Sequence, residues 1–93
     1  MQKSETILQN EIRAALSKYG KVYRMNSGIF RTFDGRFVRC GVRGMSDLLF
    51  VGNGYIAWIE CKTDKGELTF EQAEFLKNMR ELGHRASVVR SVK

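Results

Sequence analysis

Two near-continuous apolar runs, Leu48-Leu49-Phe50-Val51 and Tyr55-Ile56-Ala57-Trp58-Ile59, flank the tripeptide Gly52-Asn53-Gly54. A strand with water on one face alternates apolar and polar side chains, whereas these runs do not, so both faces of each strand need a cover. In a chain of 93 residues that cover has to come from a few helices laid on one small sheet. A chain of this size buries only about 60–65% of the surface its unfolded form exposes, so its stability margin is thin and an oligomer helps. The same loop sets a register. If Asn53-Gly54 is a two-residue type I′ turn, Gly52 pairs with Tyr55 and residues whose numbers sum to 107 face each other.

Two segments carry helical spacing. Ile7, Leu8, Ile12, Ala15, Leu16 and Tyr19 form one apolar stripe over 4–19, with Gly20 as a stop. Glu11 interrupts that stripe, four residues after Ile7 and four before Ala15. It either meets a cation such as Lys18, or is turned outward, or serves a site. The second helix runs over 70–82, with Thr69 and Gln72 spaced as a capping box, Phe75, Leu76, Met79 and Leu82 as its stripe, and Gly83 behind it. Gln72 points along the apolar face, so a capping role and a site role both stay open. Shorter β segments are expected at 22–25, at 30–33 and 36–39 around a two-residue Asp34-Gly35 turn, and at 86–89, with a turn at Asn26-Ser27-Gly28. The fold expected is a single α/β domain over 1–93, a central mixed sheet flanked by helices in the order αβββαβ.

The register of the central hairpin places chemistry. Asp47 falls opposite Glu60 on one sheet face, and period-2 alternation adds Lys62 to that face. Two like charges directly opposed are destabilising unless something comes between them. A hard divalent cation resolves the conflict, since Mg²⁺ takes oxygen ligands from one or two carboxylates together with water and phosphate. The backbone carbonyl of Cys61 offers a further ligand, and Glu11 a third carboxylate if the first helix packs at this end of the sheet. The plainer reading makes Glu60 and Lys62 solvated charges at a strand end.

Charge points to a partner. The 16 Lys and Arg outnumber the 10 Asp and Glu, giving +6. Residues 13–43 hold eight of the basic side chains and one acid, Asp34, a net of +7, while the remainder nets −1. Such a stretch fits a polyanion, most simply nucleic acid, and Arg24, Arg31, Arg36, Arg39 and Arg43 are its candidate phosphate contacts. No apolar run approaches the length of a membrane span. There is no basic-then-apolar leader pattern, so a cytoplasmic protein is expected, with Cys40 and Cys61 as free thiols lacking the companions of a zinc site. Trp58 reads as core rather than as a base-stacking platform, and the lone His84 has no nucleophile or acid nearby in sequence.

Gly44-Met45-Ser46-Asp47, then Trp58-Ile59-Glu60-Cys61-Lys62, then Gln72 in the following helix, resemble the PD-(D/E)xK nucleases with a restriction-endonuclease-like core. More narrowly, with Arg24-Met25-Asn26-Ser27-Gly28, they are similar to the virus-type replication–repair nuclease (VRR-NUC) domain, except that Ser46 stands where that family usually has proline. The resemblance implies a metal-dependent DNA endonuclease that hydrolyses phosphodiester bonds. Asp47 and Glu60 would bind Mg²⁺ or Mn²⁺, and Lys62 would serve the attacking water and the transition state. Glu11 would be the acid of the first helix, and Gln72 the glutamine of the active site. It further implies a phage or prophage source in a bacterial host, a homodimer, and selectivity for branched DNA such as a Holliday junction. The alternative is a non-catalytic basic nucleic-acid-binding module with the same fold.

Overall fold

The computed structural model describes residues 4–25 and 28–92, apart from the side chain of Cys40. The elements are α1 (Glu5–Leu16), β1 (Lys21–Arg24), β2 (Gly28–Arg31), β3 (Phe37–Cys40), β4 (Leu48–Val51), β5 (Ile56–Cys61), α2 (Phe70–Glu81) and β6 (Arg85–Val89). Four strands form the central sheet in the order β1-β4-β5-β6, while β2 and β3 make a two-stranded sheet of their own. The pairs β1–β4 and β4–β5 are antiparallel and β5–β6 is parallel, so the sheet is mixed. Without the β2–β3 insertion the order is the expected αβββαβ.

The central hairpin pairs Leu48 with Ile59 and Val51 with Ile56, which is the register set by a two-residue loop. The turn itself is not type I′. Only Gly54 takes a positive φ (85°), and Asn53, whose Cβ makes that region costly, stays on the negative side. Helices cover the two faces unequally. On one face Leu8 and Ile12 of α1 pack with Leu48, Phe50, Ile59 and Cys61 to make the buried core. On the other, the half-buried Trp58 meets Phe75 of α2 edge to face at 5.1 Å.

The helix ends follow local chemistry. Ser4 caps α1 by accepting from the Ile7 N–H. α1 stops at Leu16, short of Tyr19, where Ser17 turns its hydroxyl back onto the Ala14 carbonyl. α2 opens on the full Thr69–Gln72 capping box. It closes in a Schellman motif, with the His84 N–H on the Met79 carbonyl and the Gly83 N–H on the Arg80 carbonyl.

The insertion departs from expectation. β2 and β3 pair Ile29 with Arg39 and Arg31 with Phe37, one register step away from a two-residue Asp34-Gly35 turn. The loop is Phe33-Asp34-Gly35, closed by Gly35 N–H to Thr32 O and Thr32 N–H to Arg36 O. Gly35 sits at φ 88°, the left-handed position of a three-residue hairpin loop with a bulge. Asp34 shapes it locally: it accepts from the Thr32 hydroxyl and pairs with Arg36 at 3.0 Å. The hydrogen bond from Thr32, more than that from Arg36, holds the Asp34 carboxyl below its usual range. The turn read at Asn26-Ser27-Gly28 involves 26–27, outside the described residues.

Candidate metal centre at the open end of the central hairpin

The β4–β5 ladder alternates from the Gly52–Tyr55 pair, where the Gly52 N–H donates to the Tyr55 carbonyl at 2.9 Å. Counting back, Asp47 and Glu60 are a non-hydrogen-bonded pair, the kind whose side chains stand closest. The next rung is made by a side chain: Asp47 Oδ2 accepts from the Cys61 N–H at 2.8 Å. This pins the carboxylate across the strand, toward Glu60.

Glu60 is 1% exposed, and its Oε1 is buried without a hydrogen-bond partner. Oε2 accepts from Gln72 Nε2 at 3.4 Å. The same amide also serves the capping box, because its Oε1 accepts from the Thr69 N–H at 2.9 Å. The capping box orients the glutamine, and the glutamine holds Glu60.

The third carboxylate is Glu5, where the sequence pointed to Glu11. One oxygen from each of Glu5, Asp47 and Glu60 lies within 4.8 Å of the others. The helix decides this by its rotation. Leu8 and Ile12 are buried while Ile7 is half exposed, so the sheet-facing line runs Glu5, Leu8, Ile12, Leu16. Glu11 lies about 100° round from Ile12, half-buried and outside the group of three. Glu5, itself exposed, falls three residues before the buried Leu8, a spacing present in the sequence.

Lys62 follows β5 and is also buried. Its N–H donates to the Val89 carbonyl of β6, and its stem runs beneath the 63–66 turn, where a Cβ on Gly66 would stand 3.3 Å from Lys62 Cδ. Arg90 latches that turn through the Thr63 and Gly66 carbonyls at 2.6 and 2.8 Å. On the opposite side the 41–46 segment is held against α2. Gly44 has φ 84°, and an added Cβ would come within 2.3 Å of the Glu71 carbonyl oxygen, so a side chain there would push this segment off the helix. Ser46 behind it is fully buried with its hydroxyl unpartnered.

The electrostatics match the crowding. Burial first, then the hydrogen bond and the charge of Asp47, push Glu60 up to about 9, with Lys62 opposing and Glu5 adding a little. Without a cation, a proton resolves the opposition, since a protonated Glu60 can donate to Asp47. Burial and the neighbouring carboxylates also push the Cys61 thiol up to about 12, so its sulfur stays protonated and is no thiolate ligand.

The five candidate arginines differ in their partners. Arg24 donates to Asn10 at 3.0 Å, Arg36 pairs with Asp34, and Arg43 lies 3.8 Å from Glu71. Arg31 and Arg39 share one face of the β2–β3 hairpin, exposed and without an ion pair among the described residues. His84 is exposed and apart from the site. No described helix is long and apolar enough to cross a membrane.

No protein-family model matches the chain, and no curated protein matches it. Among solved structures it is similar to the small subunit of the heterodimeric restriction endonuclease R.BspD6I, with 18% identity and a TM-score of 0.46 over 86% of this chain and 44% of that one. The chain thus spans less than half the length of that subunit.

Proposed function

We propose that residues 1–93 form a single metal-dependent DNA endonuclease domain of the VRR-NUC kind. The observation that carries this reading is the buried, unpartnered Oε1 of Glu60, in a residue grouped within 4.8 Å with the carboxylates of Asp47 and Glu5 and followed two residues on by the buried Lys62. An orphaned carboxylate oxygen is costly in a core and cheap beside a cation. The donor set is all oxygen, which suits Mg²⁺ or Mn²⁺ and not a thiolate-seeking metal. Asp47 and Glu60, with the backbone carbonyl of Cys61, would hold the ion, and Glu5 stands where it can add a ligand directly or through water.

Such an ion, when bound, supplies charge neutralisation at the phosphate and acidifies water for attack. The rest is the work of the chain. Gln72 and the Cys61 N–H fix one oxygen of each acid and leave the other for the ion. Lys62, held by the 63–66 turn, carries a positive charge to the same face for the phosphorane-like charge of in-line attack. Arg24, Arg31, Arg36, Arg39 and Arg43 bind phosphates, which positions the substrate without reading its bases. Glu11, at the flank of α1, has a supporting part at most. With no recognition helix, the preference is for DNA structure, a branched or Holliday-type junction cut by a homodimer whose sites are related by a two-fold axis. A phage or prophage protein acting in the bacterial cytoplasm fits this activity.

The test is cleavage of a labelled four-way junction in Mn²⁺, wild type against Lys62→Ala. Cleavage lost in the variant supports the reading. Binding without cleavage in Mn²⁺ and Mg²⁺ overturns it in favour of a binding module, and a monomer in light scattering at micromolar concentration overturns the resolvase form.

A further inference from the structure

The β2–β3 hairpin is built unlike the rest of the molecule. Among the described residues it pairs only with itself, and no described side chain from Ile29 to Arg39 is buried. It nevertheless carries five large apolar residues. Ile29 and Phe37 share a face with Arg31 and Arg39, Phe30 and Val38 share the other, and Phe33 stands at the tip, 113% exposed. An isolated two-stranded hairpin is marginal in water, so aromatic side chains on both of its faces look for a partner. The charge says which kind. Arg31 and Arg39 alternate with Ile29 and Phe37 on one face, Arg24 and Arg43 flank the hairpin in sequence, and its one acid, Asp34, is already occupied by Thr32 and Arg36. Arginines interleaved with aromatics match a phosphate backbone with bases that have left their stack. A two-stranded ribbon also has the width to enter a DNA groove.

We propose that this hairpin is a DNA-engaging arm whose tip residue, Phe33, stacks on unpaired or unstacked bases while Arg31 and Arg39 hold the flanking phosphates. The arm thereby supplies the preference for DNA with an open stack, as at a branch point. The inference rests on the reading of the protein as one that acts on DNA, and it separates from catalysis because binding is measured without a divalent metal.

The experiment is fluorescence anisotropy of the full chain in EDTA, with a duplex carrying an unpaired stretch against the same duplex fully paired. Wild type should favour the first. Phe33→Ala should weaken binding to it by about 5- to 100-fold while changing the paired duplex by less than about twofold. Phe33→Trp should restore the preference, and its tryptophan emission should be quenched by the open DNA and not by the paired one. Phe33→Ala binding both DNAs like wild type overturns the arm, and so does a change in molecular mass in Phe33→Ala or Phe37→Ala, which would make the hairpin a protein–protein contact. Cleavage in Mn²⁺ with a Phe33-independent preference sinks the arm and leaves the nuclease. A Phe33-dependent preference with no cleavage sinks the nuclease and leaves the arm.

Discussion

The open end of the β4–β5 hairpin and the β2–β3 hairpin are both antiparallel ribbons, and they treat polar and apolar side chains in opposite ways. The first buries Glu60 and Lys62 and ties Asp47 and Gln72 to backbone N–H groups. The second leaves Phe33 and Phe37 in water near Arg31 and Arg39, which make no ion pair among the described residues. Each inverts the usual sorting of residues, in which charges stay outside and aromatics inside. The lesson lies in what supports each inversion. The acid pocket is supported by the α1 core on one face of the sheet and by α2 on the other, so its geometry rests on the fold itself. The arm has no buried side chain among its described residues, so its geometry would be completed by the DNA proposed to bind it.

Breaking the pocket should have the largest effect. Glu60→Ala or Lys62→Ala is expected to lower junction cleavage in Mn²⁺ by about 10²- to 10³-fold or more, with helix content by circular dichroism unchanged. The two regions should then diverge in stability. Leu48→Ala, beneath the pocket, is expected to cost about 2–5 kcal/mol in urea unfolding. Val38→Ala on the arm is expected to stay within about 0.5 kcal/mol.

A pH series sharpens the contrast further. Glu60 titrates near 9 when folded against an ordinary 4.5, so the folded chain holds a proton that the unfolded one releases. That contribution to stability is complete below about pH 4.5 and declines as pH rises toward 9. Melting temperatures in EDTA should fall over this window, and Glu60→Gln should flatten the fall. Mn²⁺ should restore stability at the alkaline end, because the ion takes the place of the proton. The smallest effects belong to the arm. Arg31→Ala and Arg39→Ala should each weaken DNA binding a few-fold and reduce the slope of log affinity against log salt by about one.

The pocket was legible to the extent that local rules reach. Opposition of Asp47 and Glu60 follows from a two-residue loop and a side-chain period of two, and it holds even though Asn53-Gly54 does not form the expected turn type. The arm was less legible. Asp34-Gly35 is a strong short-turn signal, yet Phe33 joins the loop and the register moves by one, which moves every side chain of β2 relative to β3. No core presses on either face to penalise that step, so loop chemistry alone settled it.

What the sequence determined by itself was the αβββαβ order, the capped second helix and the strand register that opposes two acids beside a lysine, because each depends on residues close along the chain. What only the tertiary structure decided was which acid of the first helix joins them, and whether Gln72 caps a helix or holds Glu60. The first depends on the rotation of α1 against the sheet, set by the burial of Leu8 and Ile12 rather than Ile7. The second depends on the distance between α2 and β5, at which one amide bonds to Thr69 through its oxygen and to Glu60 through its nitrogen. Packing sets both quantities, and packing is a property of all the elements together.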